Sequence, residues 1–373
     1  MKKKVLFVAT VVKTHIMQFH IPYLKLFQQA GWETAVASRN DYENPEDCVI
    51  PYCDTYYNIP FERMPWKPKN LQAYKMLKEI IDREEYDIIH CHTPVAAFLT
   101  RFAALDARKR GTKVIYTAHG YHFFKGAPLK NWLLFFPAEW ITSFFTDLLI
   151  NINREDFAFS QKHMHPKRLE YVKGVGVPLE RFRDCTGSRS AVRASLGLRE
   201  DDFVLLSVAE LTKNKNHKMM LQAMKLLEDP HIHLVCAGRG TEMEHCLALQ
   251  RELGLTDRVH FLGYRRDVPM LYGAADAFLF VSFREGLSLS LMEAMSSGLP
   301  SIVSPIRGNV DLITDGKEGI YTQLTPQAIA QAIRRVSGDS ALREQLGTAA
   351  REKVRQFSLD AVAARMKELY LSL

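Results

Sequence analysis

"DAFLFVSFREGLSLSLMEAMSSGLPSIVS", residues 276–304, decides the fold. "DAFLFVS" (276–282) is a short apolar run and predicts a strand. "LSLSLMEAMSSG" (287–298) repeats Leu, Met and Ala at helical spacing, and Gly298-Leu299-Pro300 closes it. "PSIVS" (300–304) is apolar again and predicts a second strand. A strand, a helix and a strand, with both strands apolar, form one unit of a parallel sheet buried on both faces.

The same alternation runs outward in both directions. Upstream, "DFVLLSVAE", "IHLVCAG" and "RVHFLG" read as strands, and "HKMMLQAMKLLED" and "TEMEHCLALQRELG" as helices. The first half repeats the scheme with "KVLFVAT", "ETAVAS", "YDIIHCH" and "KVIYTAH" as strands between helical patterns. Residues 40–68 read as a long irregular loop, and 325–373 as helices only. Near 171–190, "YVKGVGVPLERFRDCTGSRS" breaks the pattern with glycines, a proline and no periodicity. The expectation is therefore two tandem α/β domains, 1–175 and 176–355, with a C-terminal helix (356–373) packing back on the first. Ligands of such sheets bind at the carboxyl ends of the strands, and two facing sheets make a cleft.

Bulk properties exclude several classes. With 47% hydrophobic and 24% charged residues among 373, the composition is that of a globular protein with room for two domains. Six cysteines at no zinc or CxxC spacing imply reduced, intracellular thiols. The start "MKKKVLFVATVVKTH" mimics a signal peptide, but Lys13 and His15 follow the apolar run at once, so it reads as a first strand. The most apolar segment, 132–152, carries Glu139 and Asp147, which argues against a membrane span. Net charge is +7, unevenly spread: 26 Lys+Arg against 20 Asp+Glu in residues 1–185, and 23 against 22 in 186–373. A basic first half suits an anionic partner.

The deciding stretch also holds two acids, Glu285 and Glu293, eight residues apart. Glu285 and Gly286 fall in the turn at the end of the strand, with the helix expected to start near Leu287–Ser288. Its first amides have no internal partners and form an anion site, which Gly286, lacking a Cβ, lets a phosphate approach. Glu285 would repel that phosphate but can accept hydrogen bonds from hydroxyls beside it. Glu293 lies roughly 9 to 11 Å along the helix, where a second diol would fit. Two hydroxylated groups joined by a diphosphate describe a nucleotide sugar.

In the form "AADAFLFVSFREGLSLSLMEAMSSGLP" the stretch resembles glycosyltransferase family 4, retaining enzymes of the GT-B fold, whose domains are Rossmann-like and face a cleft. The resemblance continues through "LLSVAELTKNKNHKMMLQAM", "CAGRGTEMEHCLALQRELGLTDRVHFLGYRRDVPMLYGAAD" and "DLITDGKEGIY". The first half, with "YDIIHCHTPVAAF" and "VIYTAHGYHFFKGAPLKNWLLFFP", is similar to the branch that builds capsular and exopolysaccharide glycans. The resemblance implies that Glu285 orients the donor sugar and that Gly286, Leu287, Ser288 and Lys215 hold the diphosphate. Glu293 takes the ribose, and Gly238, Arg239, Gly263 and Tyr264 lie by the nucleotide. His119, before Gly120, would face the donor sugar from the first domain. It also implies a retaining, front-face transfer in which the departing phosphate accepts the acceptor's proton, with catalysis by leaving-group stabilisation and positioning.

Two positions depart from the family pattern. Glu210 stands where an arginine often touches phosphate, so either Lys215 acts with less help or another cation, Arg239 or Lys13, substitutes. The first turn carries Lys13, Thr14 and His15 in place of paired glycines, so either these side chains contact the donor or an acceptor phosphate, or the backbone approaches the donor less closely. No D-x-D triplet lies near a strand end, so no essential divalent metal and no cofactor are expected. "HCH" (90–92) puts His90 and His92 on one strand face, but the sequence positions no third ligand there. "HMH" (163–165) is equally incomplete.

For the acceptor, the aromatic segment 121–140 with Lys125 and Lys130 suits an anionic lipid interface as well as it suits a buried helix. With the basic first half it favours a lipid-diphosphate-linked sugar at the cytoplasmic face of the cell membrane, with UDP the leading carrier of the donor sugar. A nucleotide-sugar 2-epimerase shares the architecture, needs no acceptor, and is separated by product analysis with donor alone. A basic nucleic-acid-binding protein would want a basic stripe with stacking aromatics or a helix-turn-helix, and neither is present in the sequence.

Overall fold

The computed structural model describes residues 2–183, 185, 187 and 189–373, so Asp184, Thr186 and Ser188 of the pattern break at 171–190 lie outside the described residues. The chain forms two compact units, Met1–Val175 with Val362–Leu373, and Gly176–Ala361. The strands of the first unit are β1 (Lys4–Val11), β2 (Glu33–Arg39), β3 (Thr55–Asn58), β4 (Ile88–His92), β5 (Lys113–Ala118), β6 (Leu148–Asn151) and β7 (Arg168–Tyr171). They make one seven-stranded sheet in the order β3-β2-β1-β4-β5-β6-β7, and every pair is parallel. The second unit holds β8 (Phe203–Val208), β9 (Ile232–Ala237), β10 (Val259–Gly263), β11 (Ala277–Phe280), β12 (Ser301–Val303) and β13 (Gly319–Tyr321). Its six-stranded parallel sheet runs β10-β9-β8-β11-β12-β13.

The strands are apolar on both faces because helices cover both. Leu6 and Val8 of β1 enter one core with Ala73, Leu77 and Ala96. Val5, Phe7 and Ala9, pointing the other way, enter a second core with Leu24, Phe27 and, from the C-terminal helix, Val362, Met366 and Leu369. In the second unit Val204 and Leu206 face one cluster, and Leu205 the other.

Some local expectations change. Residues 40–68 include the edge strand β3, and β7 and β13 also escape the sequence reading. These strands have three or four residues, too few to show a period. The helical run from Pro94 divides into Pro94–Ala103 and Leu105–Lys109. The apolar segment 132–152 divides into the helix Leu129–Ser143 and the buried strand β6. Glu139 is buried on that helix, where it takes Arg101 at 2.7 Å and the Tyr116 hydroxyl at 2.8 Å. Among the described residues, no helix is long and apolar enough to cross a membrane.

Candidate active site

Each sheet reverses direction once. In the first unit the chain builds β2 and β3 on one side of β1, then crosses to place β4 on the other. In the second, β9 and β10 lie on one side of β8, and β11 on the other. The loops leaving β1 and β4, and those leaving β8 and β11, therefore diverge at their carboxyl ends, where sheets of this kind bind ligands.

In the second unit, three hydrogen bonds lace the loop after β8 to the loop after β11. Phe283 N–H donates to Asn214 O (2.9 Å), the Asn214 amide to Arg284 O (2.9 Å) and the Asn216 amide to Val281 O (3.2 Å). Asn216 turns the chain with a left-handed φ of 58°. The lacing brings Lys215 Nζ to 2.8 Å from Glu285 Oε1, with the ammonium 4.7 Å from the Phe280 ring centroid. Both side chains are mostly shielded from solvent, at 21% and 11% exposure, but neither is sealed.

The helix begins at Leu289 rather than near Leu287–Ser288, with Ser288 as its N-cap; the Ser288 hydroxyl accepts from Leu291 N–H at 3.3 Å. An N-cap serine explains the offset, since its own backbone is extended. Gly286, Leu287 and Ser288 thus form the approach to the helix end, and the amides of Leu289 and Ser290 have no intrahelical partner. Gly308, at φ 82°, lies against the Gly286 carbonyl, where a Cβ would collide. The same turn brings Arg307, only 7% exposed, to donate from Nε to Glu285 O at 3.2 Å.

Because the helix starts at Leu289, Glu293 lies about one turn in, roughly 6 Å rather than 9 to 11 Å along it, where it accepts from the Tyr272 hydroxyl at 3.0 Å. Burial pushes its carboxyl above the ordinary range, opposed by the Tyr272 hydroxyl and Arg181. Gly238 abuts the Ala209 carbonyl so closely that no Cβ fits, and its N–H donates to Gly263 O at 2.8 Å. That contact gathers Gly238, Arg239 and Gly263 at one sheet end, with Tyr264 exposed beside them. Glu210 is also exposed there. A cavity of about 710 Å³ lies on the helical side of the Lys215 loop, lined by Thr212, Asn216, His217 and Phe283 among others. Neither Glu285 nor Gly286 lines it, so cavity size does not mark the Lys215–Glu285 site.

In the first unit the Lys13-Thr14-His15 turn is divided. Lys13 N–H and the Thr14 hydroxyl donate to Asp41, at 2.6 and 3.3 Å, and both side chains are exposed. His15 turns inward from a π-helical turn, Val12–Ile16. There it meets His20, His92 and His119, and one ring nitrogen from each lies within 4.8 Å of the others. Burial holds His119 at about 4. Burial and then neighbouring imidazoles hold His15, His20 and His92 well below the usual histidine range. His90 does not join them; its two ring nitrogens are 2.8 Å from the Tyr370 hydroxyl and the Thr117 hydroxyl. Thr93, after His92, holds an unusual φ of 62° for a β-branched residue.

Sequence reasoning missed Arg307 and His20. The sole signal for Arg307 was the glycine after it, and for His20 the nearby His15.

Two parallel α/β units of this topology have the architecture of the GT-B glycosyltransferases. The "Glycosyl transferase 4-like" family model matches residues 4–153 and the "Glycosyl transferases group 1" model matches residues 188–353, so the chain belongs to this glycosyltransferase family. It is 41% identical over 376 residues to EpsD of Bacillus subtilis (strain 168), which carries the name of a glycosyltransferase, covering 99% of this chain and 97% of that one. It is 29% identical over 319 residues to UDP-Gal:alpha-D-GlcNAc-diphosphoundecaprenol alpha-1,3-galactosyltransferase of Escherichia coli, covering 82% and 80%. Among solved structures, Anabaena Alr3699/HepE in complex with UDP and glucose shares the fold at a TM-score of 0.83, with 20% identity and full coverage of both chains. The family match decides for a transferase over an epimerase.

Proposed function

We propose that the protein is a retaining glycosyltransferase that moves a sugar from a UDP-linked donor to a lipid-diphosphate-linked saccharide during surface polysaccharide assembly. The observation that carries this reading is the Lys215–Glu285 pair at 2.8 Å beside the Gly286–Ser288 turn. Across the pair each group neutralises the other. An arriving diphosphate would draw Lys215 and the amides of Leu289 and Ser290 to itself, releasing Glu285 to accept hydroxyls of the donor sugar. Arg307 holds the backbone of Glu285 in place and brings a second cation close to the diphosphate, in the role that Glu210 cannot fill. Glu293 takes the ribose, and the Gly238-Arg239 and Gly263-Tyr264 turns take the base. The leaving diphosphate accepts the proton of the attacking hydroxyl, and Lys215 stabilises the charge that develops there.

The acceptor reading draws on the E. coli relative, whose name specifies a diphosphoundecaprenol acceptor and a UDP-Gal donor. It draws also on the helix Leu129–Ser143, which leaves Leu129, Leu133, Trp140 and Ile141 exposed near Lys125 and Lys130. Such a face suits the inner surface of the cell membrane. The exposed side chains of Lys13 and Thr14 at the first turn would meet an acceptor phosphate.

The test is transfer from a panel of UDP-sugars to a polyprenyl-diphosphate-linked sugar, with and without Mg²⁺ and Mn²⁺. One UDP-sugar should give a product of retained configuration, at rates within about twofold in either buffer, because Lys215 and the helix amides supply the positive charge. An inverted product, or no turnover without Mg²⁺, would overturn the reading.

A further inference from the structure

The cluster of His15, His20, His92 and His119 has chemistry that the transfer reaction does not use. His15 and His20 come from the turn after β1, His92 ends β4, and His119 follows β5. His90, two residues before His92 on the same strand, is a control for how this fold buries a histidine for packing: both of its nitrogens find hydroxyls. The cluster does the opposite. His20 and His92 are each 1% exposed, yet neither nitrogen of His20, nor Nε2 of His92, nor Nε2 of His15 has a hydrogen-bond partner. A buried polar atom without a partner is destabilising, so these nitrogens call for a shared one.

A shared cation satisfies them. His119 Nε2 and His92 Nδ1 are 3.3 Å apart. With metal–nitrogen bonds of about 2.0–2.1 Å, the edge of a tetrahedral site is about 3.3 Å. The remaining nitrogens, all within 4.8 Å, need to close by no more than about 1.5 Å to meet that edge. His20 and His92 are now stacked, with centroids 3.8 Å apart and planes at 28°, and would splay to aim at one ion. An all-imidazole set suits zinc, copper, iron or nickel, not the oxygen-seeking Mg²⁺ or Ca²⁺.

We propose that His15, His20, His92 and His119 bind one divalent first-row transition ion, with zinc as the probe. Burial favours the neutral imidazoles that such binding requires. With no carboxylate among the ligands, the ion keeps its double charge, and the carboxyl end of the first sheet changes from a neutral patch to a cationic one. His119 then acts through the ion instead of as a free imidazole.

The experiment uses the full chain, stripped by chelator and titrated with Zn²⁺ and Co²⁺. The expected result is one equivalent bound per chain, with the intense visible absorption of tetrahedral Co²⁺. His20→Ala and His92→Ala should each weaken binding by about 100-fold or more, whereas His163→Ala, on an exposed helix end, should not. Circular dichroism and the melting shift with UDP report whether each variant stays folded with its second unit competent. If His20→Ala does not fold, the Co²⁺ spectrum of the wild type still decides. Failure of the wild type to bind Zn²⁺ at micromolar concentration, an octahedral Co²⁺ spectrum, or undiminished binding in folded His20→Ala would overturn the site. A positive metal result in a chain that transfers no sugar would sink the functional reading alone.

Discussion

The two sheets reverse at equivalent places, between β1 and β4 in one unit and between β8 and β11 in the other, yet they furnish those places with opposite chemistry. The second unit holds a formal charge pair, Lys215 and Glu285, a helix N-terminus and the buried Arg307. The first holds four imidazoles that burial keeps neutral, with the Lys13 backbone N–H and the Thr14 hydroxyl donating to Asp41 beside them. The common topology supplies a crevice and nothing more. What it binds depends on the few side chains that the diverging loops deliver. On the proposed function the charged crevice takes the diphosphate, and the proposed metal takes the imidazole one.

The strongest way to break this contrast is to remove the carboxylate from the charged crevice. Glu285→Ala should lower turnover about 10³-fold, near 4 kcal/mol, with an unchanged melting profile. Near-wild-type transfer by the folded variant would leave the second crevice without its assigned chemistry.

Acid sharpens the contrast. The second unit also buries a histidine, His217, whose two ring nitrogens lack partners, but no further group of three ligand-type side chains surrounds it among the described residues. Burial, and then the Lys215 charge, lower His217 to about 4. Its folded value is below the ordinary histidine range, so the unfolded chain binds the proton more readily. The neutral form's contribution to stability is therefore present above about pH 6.5 and is lost as pH falls toward 4. The full loss approaches about 3 kcal/mol. Thermal melts of the wild type and His217→Gln across that window should diverge, with the variant showing the flatter profile. Parallel curves would mean that His217 is protonated in the fold.

Arg307 comes next. Arg307→Ala frees the backbone carbonyl of Glu285, and the resulting misplacement should reduce kcat roughly ten- to a hundredfold. Arg307→Lys should rescue little, because the hydrogen bond comes from Nε of a fixed guanidinium. The smallest effect concerns the first unit's outer face. Leu133→Glu should weaken sedimentation with anionic vesicles by about tenfold, on the order of the transfer energy of one exposed leucine, and leave transfer to a soluble acceptor intact. Unaltered vesicle binding would remove the helix Leu129–Ser143 from the membrane reading.

Much of this was legible along the chain. Glu285, Gly286 and the helix behind them are consecutive, so strand, turn and helix periods sufficed to bring them to one sheet edge. Lys215 is 70 residues from Glu285; the family resemblance singled it out, and its place after a strand of the same sheet explains the meeting. Arg307 was not legible: its access to Glu285 depends on Gly308 lying against Gly286. Nor was the histidine cluster. The "HCH" pattern pointed to His90, and only the hydroxyls of Tyr370 and Thr117 show that His90 is already satisfied.

By itself the sequence determined two parallel α/β domains and a turn into a helix at Gly286, because hydrophobic period and helix-end chemistry act over a few neighbouring residues. Only the tertiary structure decided which distant side chains share a crevice: Lys215 with Glu285, and His15 and His20 with His92 and His119. Those meetings depend on strand order and on single-turn geometry, such as the π-helical turn at Val12–Ile16. Neither leaves a periodic trace in the sequence.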